Sequence, residues 1–522
     1  MAGAGKLDLG SGGAVAGSKA AITAVVMAAA LMSLIDITIV NVALSDIRAS
    51  FGTPIDEIGW VSTGYMMANI VVIPMTGWFQ RRFGIRRYFA TSILIFTAAS
   101  ALCGLSWNLP SLVVFRAIQG LGGGAIIPTA QTILFSRYAK HEQNMAGALF
   151  GIGAVTGPLL GPTIGGYLID WSSWHWVFLV NVPVGIIAAL AASRVIHEPG
   201  FRPSKAPIDV FGISLLAAGM ASLQYVLEEG NRDGWFESLT ITVLAAVAAC
   251  ALITFLVHEL EAEHPVVDLR VFLNRTYSAG TGINFVLGLA LFSGNFLFSL
   301  YCGAVMRYSA LDIGKIFLVS GGIQIVLMPF IGRFGSKVDG RAMLFFGITG
   351  TALSLWMNAH LTDQASFWDL VQPMFVRSAA LGFIFIPVSV LALGDLSDRQ
   401  RGNATGLFNL TRELGGSIGT AWMGLLVDRG TKIHGSYLRE AIYATNPIVQ
   451  ETMGAIQGGI GGRTFTRELV PEAVLDLKVR IQALILSFNE GFAQATLVFL
   501  TAFVLLFLLK KPKPGASAAG AH

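Results

Sequence analysis

Charge is what this sequence has least of. Asp, Glu, Lys and Arg make up 13% of its 522 residues, about half the share found in ordinary soluble domains. Apolar residues fill 54% of the chain and mean hydropathy is +0.66, which excludes a single core wrapped in a charged shell. Cysteine is scarce as well. Cys103, Cys250 and Cys302 all lie in apolar stretches, without CxxC or metal-ligand spacing, so neither a disulfide scaffold nor a thiolate metal centre is expected. HExxH and phosphate-loop patterns are missing, which argues against an intramembrane enzyme. The net charge of +4 does not signal a nucleic-acid partner, because the basic residues are segregated among loops.

Long apolar runs are what the chain has instead. At about 20 apolar residues per crossing, they predict an all-α polytopic membrane protein with the lipid bilayer as its solvent. Fourteen spans are expected, centred near Met32, Val71, Ile95, Leu121, Val155, Gly185, Ala218, Ala248, Leu289, Ile323, Ala352, Phe383, Ser417 and Leu500. The first run, from Ala20 through Ile39, leads directly into further spans and is predicted to be an uncleaved helix rather than a leader. With an even span count both termini share one side. Placing them inside leaves sixteen Lys and Arg in the short inner loops against Arg48, Arg232, Arg307 and Lys315 outside, which orients both termini to the cytoplasm. Residues 1–19 and 511–522 are expected to be cytoplasmic tails, the first disordered. His264–Arg275 is predicted to lie on the inner surface as an amphipathic helix, and 428–489 to form a folded outer segment. His141, His197, His258, His264 and His360 fall at span ends, as snorkelling residues do.

The halves echo one another. PMTGWFQRRFGIRR at Pro74 is matched by PFIGRFGSKVDGR at Pro329, Arg116 by Arg377 at an offset of 261, and NMAGALF at Asn144 by NATGLFN at Asn403 at 259. The implied plan is a six-helix half over 20–200, an inserted two-helix hairpin over 201–262, and a second six-helix half over 263–510. Parallel halves of this kind occur in secondary transporters. One segment, Gly153–Gly166, places Gly153, Gly157, Gly161 and Gly165 four residues apart, with Pro158, Pro162 and Gly166 beside them. On a helix this makes a bare stripe for close backbone packing, expected to serve as the sliding surface when the halves rock.

Charges inside the spans mark candidate chemistry. A carboxylate at mid-span costs about 2.5–3.5 kcal/mol, so Asp36 needs either a proton or a cation, and those two could compete for it. The competing account is a structural carboxylate bonded to Thr38, Asn41 or a neighbouring helix. Arg116 cannot readily lose its proton and must face a cavity or a partner, with Gln119 on the same face. Arg412 and Glu413 are either transport residues or a buried pair fixing their helix. Trp60, Tyr65, Phe292, Phe296 and Phe298 could line an apolar pocket able to hold a cation.

Several motifs carry a resemblance. LIDITIVNVAL (34–44), GWFQRRFGIRR (77–87), LVVFRAIQGLGGGA (112–125), the glycine stripe, HPVVDLRVF and NLTRELGGSIGTA (409–421) are together similar to the major facilitator superfamily, in its fourteen-span drug:proton antiporter-2 branch (EmrB/QacA-like). The resemblance implies the major facilitator fold and a proton-coupled exporter of amphipathic or cationic compounds. It implies no cofactor, the energy coming from the proton-motive force, at about 2.3 kcal/mol per charge per 100 mV. It implies a bacterial inner membrane, small organic substrates and protons as partners, and a periplasmic adaptor with an outer-membrane channel. Proton coupling falls on Asp36, Arg116, Arg412 and Glu413. Substrate binding falls on Asp36, Asn41, Gln119, Phe292, Phe296 and Arg377. Conformational roles fall on Gly77, Arg81, Arg82, Gly84, Arg86 and the stripe. An exporter dedicated to one fatty acid, siderophore or self-made antibiotic is the alternative, and an importer fits less well. The loop motif departs from its pattern, because Arg81 stands where an Asp is usual. Arg82, Arg86 and Arg87 would then act through helix ends or lipid phosphates.

Overall fold

The computed structural model describes residues 19–198, 201, 203–204, 207–394, 396–440, 450 and 469–509. The expected tails lie outside these residues, except for Lys19, as do 441–449 and 451–468 of the outer segment. Long helices carry the fold: α1 Lys19–Phe51, α2 Trp60–Phe83, α3 Ile85–Gly104, α4 Leu109–Arg137, α5 Gln143–Trp171, α6 Asn181–Val195, α7 Val210–Glu229, α8 Leu239–Glu261, α9 Arg275–Ala304, α10 Ala310–Phe334, α11 Gly340–Asn358, α12 Phe367–Leu393, α13 Asp398–Glu440 and α14 Leu469–Leu500. Each predicted centre falls in a different one.

Eleven of these, α6 together with the short helix His175–Leu179 before it, are long and apolar enough to cross a bilayer. The exceptions are α2, α11 and α13. Two of these bury polar side chains against protein rather than lipid: Thr63, Asn69, Thr76 and Gln80 on α2, and Asn403, Thr405, Asn409 and Arg412 on α13. A hydropathy threshold undercounts helices enclosed by others, because their polar residues never meet hydrocarbon. Ends are fixed locally. Asn108 caps α4 by accepting from the Ser111 amide at 2.9 Å, and Ser366 caps α12 by accepting from the Asp369 amide, each satisfying a donor the helix leaves open.

The two halves meet on the face that carries Arg81, Arg82 and Arg137. Among the described residues, the side-chain hydrogen bonds between halves are Asn409 Nδ2 to Gln131 Oε1 (2.7 Å), Arg401 Nη1 to Ser136 Oγ (3.4 Å) and Gln131 Nε2 to Ser389 Oγ (3.5 Å). Backbones close up there too: a Cβ on Gly77 would lie 2.5 Å from the Asn403 backbone. All these contacts lie toward the arginine-rich face, so the structure is sealed at that face.

The inserted hairpin α7–α8 touches both halves. Thr63 of α2 donates to Glu229 at 3.0 Å, and Trp60 packs on Tyr225 with ring centres 5.3 Å apart. On the other side Ser417 of α13 donates to Gln224 at 3.2 Å and Asn231 donates to the Ala421 carbonyl at 2.9 Å. At the arginine-rich face Glu259 accepts from the Val267 amide at 3.3 Å.

That last contact corrects the expectation for His264–Arg275. The segment is not an amphipathic helix on the membrane surface; it is a strap with one short turn, Leu269–Leu273. Val266, Val267 and Val271 are buried in the main core, and Asn403 and Asp268 exchange hydrogen bonds at 2.8 and 3.2 Å. These three valines point into protein rather than lipid, while Leu273 is exposed. The outer segment differs from a separate cap as far as it is described: α13 and α14 simply extend, held by Arg439 to Asp476 at 3.0 Å.

Candidate functional site

Asp36 sits on α1 with none of its surface exposed, and Arg116 of α4 is 1% exposed. Arg116 Nη1 donates to Asp36 Oδ2 at 2.7 Å and to Gln119 Oε1 at 2.7 Å. Gln119 Nε2 and Asn181 Nδ2 donate to Asp36 Oδ1 at 2.9 and 2.7 Å. Both amides also reach Ser100 Oγ at 3.2 Å, and that hydroxyl donates onward to the Phe178 carbonyl. The guanidinium is completed by the Val61 carbonyl at 3.2 Å and by the Tyr65 ring, centred 4.2 Å from Cζ, a cation–π contact. Five helices thus converge on one carboxylate.

Glycine lets them do so. On α4 a Cβ at Gly120 would meet the Tyr65 carbonyl at 2.4 Å, and one at Gly123 would meet the Tyr65 hydroxyl at 2.4 Å. These two glycines bring α2 close enough for Tyr65 to cover Arg116. The stripe on α5 does similar work on α1, where Gly153, Gly157, Gly161 and Gly165 face Met27, Leu34, Thr38 and Ile39. It joins two helices of one half rather than the two halves. Pro162 is half-buried beside it, and Gly166 has open space around it.

The other predicted residues are distributed as follows. Thr38 and Asn41 do not bind Asp36: Thr38 donates to the Ile35 and Gly157 carbonyls, and Asn41 is exposed and accepts from Ser62 at 3.1 Å. Arg412 and Glu413 do pair with each other, loosely, at 3.7 Å. Arg412 also donates to Asn409 Oδ1 at 3.0 Å, and Asn409 is the residue that bonds Gln131 across the halves. Glu413 keeps 27% of its side-chain surface accessible. Phe292 and Phe296 are exposed, whereas Phe298 is fully buried. Arg377 is buried on α12 and donates to Asn295 of α9 at 2.5 Å.

In the loop motif an acid is present after all, but from elsewhere. Glu198 accepts from the Arg86 amide at 3.0 Å, capping α3 just after Gly84, whose φ of +84° suits glycine. Arg82 donates to the Ser204 carbonyl at 2.8 Å. Asn181, Ser100 and Glu198 escaped the sequence reading. Asn181 offered a signal, as an amide inside the apolar run of the sixth span.

Repeated helical halves, one of which seals a charge pair inside it and which are hydrogen-bonded to each other toward the arginine-rich face, are the architecture of a membrane carrier. Residues 26–420 match the Major Facilitator Superfamily profile, and the chain belongs to that superfamily. It is therefore a multi-pass transporter, not an enzyme, and it acts on small molecules. It is 31% identical to the multidrug export protein EmrB of Haemophilus influenzae, covering 95% of this chain and 96% of that one. It is 29% identical to the fatty acid resistance protein FarB of Neisseria gonorrhoeae, covering 93% and 94%. Its fold is shared with the solved proton:xylose symporter XylE, with a TM-score of 0.63 at 12% identity over 94% of this chain and 96% of that one.

Proposed function

We propose that this protein is a proton-driven exporter of amphipathic or cationic organic compounds in a bacterial inner membrane. The arginine-rich face is cytoplasmic by the positive-inside rule, with both termini on that side, so the structure represents the outward-facing state. The observation that carries the reading is the sealed Asp36–Arg116 network, with a partly accessible Glu413 on the other half. Export rather than import is supported by relatives named for drug export and fatty acid resistance.

The coupling follows from the contacts. Glu413 is partly accessible and pairs with Arg412, which holds Asn409, which bonds Gln131 of the other half. A proton on Glu413 releases Arg412 and weakens the link that closes the cytoplasmic face. Opening that face lets the helices of the N-terminal half part around Asp36, whose partners all belong to that half, and admits cytoplasmic water. There Asp36 exchanges its proton or receives a cationic substrate. No cofactor enters this cycle. The domain limits at 200 and 262 mark the parts that move: two halves and the hairpin between them.

In inside-out vesicles from a pump-deleted host, added substrate should collapse an imposed pH gradient, and Asp36→Asn should abolish the effect. Gradient-driven uptake of a cationic dye at the wild-type rate by Asp36→Asn would overturn the reading. The extended ends of α13 and α14 provide a surface for a periplasmic adaptor. A photocrosslinker at Lys432 should capture one, and export that proceeds with no adduct would remove that part.

A further inference from the structure

The duplication pairs Arg116 with Arg377, and the structure shows what became of the acid. Asn295 stands 259 residues after Asp36, as Arg377 stands 261 after Arg116, and the two bond one another as Asp36 and Arg116 do. The second half therefore repeats the pairing with a neutral amide where the first half has a carboxylate. Arg377 is 5% exposed. Its remaining contact is the Met374 sulfur at 3.0 Å, a weak acceptor. Its Nη1 is buried without a hydrogen-bond partner, and among the described residues no carboxylate lies within ion-pair distance. A Cβ on Gly294 would come within 3.1 Å of that nitrogen, so glycine lets the guanidinium pack closely against α9. A buried guanidinium with no counter-charge is a costly state.

We propose that Arg377 and Asn295 form an anion site, filled by the carboxylate of an amphipathic acid or by a small inorganic anion. Resting on the transport reading above, it adds organic acids to the substrates. Asn295 is half-buried between the exposed Phe292 and Phe296, so an acid head can reach Arg377 past its amide while the apolar tail lies along the two rings. Guanidinium and amide together offer donors arranged for a planar carboxylate.

The test uses the purified full chain in detergent micelles, following Tm by tryptophan fluorescence. Wild type, Asn295→Asp and Arg377→Gln are each titrated with sodium octanoate, octanol and sodium chloride. Wild type should show a saturable rise in Tm with octanoate and none with octanol. Asn295→Asp supplies the missing internal carboxylate, so it should raise Tm without added anion and shift half-saturation about tenfold or more. A response to octanoate alone assigns the site to substrate carboxylates, and an equal response to chloride assigns it to a resident inorganic ion. Octanol matching octanoate, or Asn295→Asp retaining the wild-type titration, would overturn the proposal. Arg377→Gln adds a second loss of response where it folds. Because no gradient is involved, vesicles that fail to export would sink the transport reading and leave this result standing.

Discussion

At the scale of single residues, the network around Asp36 divides into charges that balance and amides that position. Removing one member of a buried ion pair leaves the other uncompensated and typically costs about 3–5 kcal/mol. Arg116→Ala should therefore lower Tm sharply, while Asp36→Asn combined with Arg116→Ala should recover part of that loss. A double variant no more stable than Arg116→Ala would show that the charge balance contributes little. Asp36, Arg116 and Gln119 were legible in the sequence because charge and amide stand out inside apolar runs. Asn181 offered a weaker signal, an amide inside the sixth apolar run without a charge to mark it. Asn295 was legible in principle from the repeat offset, but an amide carries no charge to draw the eye.

At the scale of helices, one of the tightest seams runs between α1 and α5. A Cβ on Gly161 would lie 1.9 Å from Thr38 Oγ1, within the backbone-to-backbone packing that small residues permit. Gly161→Val should abolish membrane accumulation of folded protein, whereas Gly166→Ala, with open space around it, should be tolerated; quantitative blots of solubilised, monodisperse protein distinguish the two. The stripe was readable as a packing surface from its spacing, but its partner was not, because spacing along one helix carries no information about which neighbour it faces. The strap at His264–Arg275 failed for a related reason: apolar residues interspersed with charged ones suit a bilayer surface and a protein groove equally well. Spans were expected at α2 and α13 from their apolar runs, and the buried polar residues on both helices hold their hydropathy down.

At the scale of the whole molecule, closure at one face makes a mechanical prediction. Ser136 and Arg401 approach within 3.4 Å across the halves. Cysteines at both positions, with Cys103, Cys250 and Cys302 replaced, should be joined by a short cleavable crosslinker. Joining them should stop substrate-dependent proton movement in vesicles, and cleavage should restore it. Transport continuing at full rate with the link intact would mean that this face need not open. The inserted hairpin has a different consequence, for descent and for engineering. Excising 201–262 to leave a twelve-helix carrier would strand Thr63 near one membrane boundary and the Val267 amide near the other, each buried and without its acceptor. A lineage that once acquired this cassette could not simply shed it, and grafting it onto a shorter relative would require new acceptors at both boundaries.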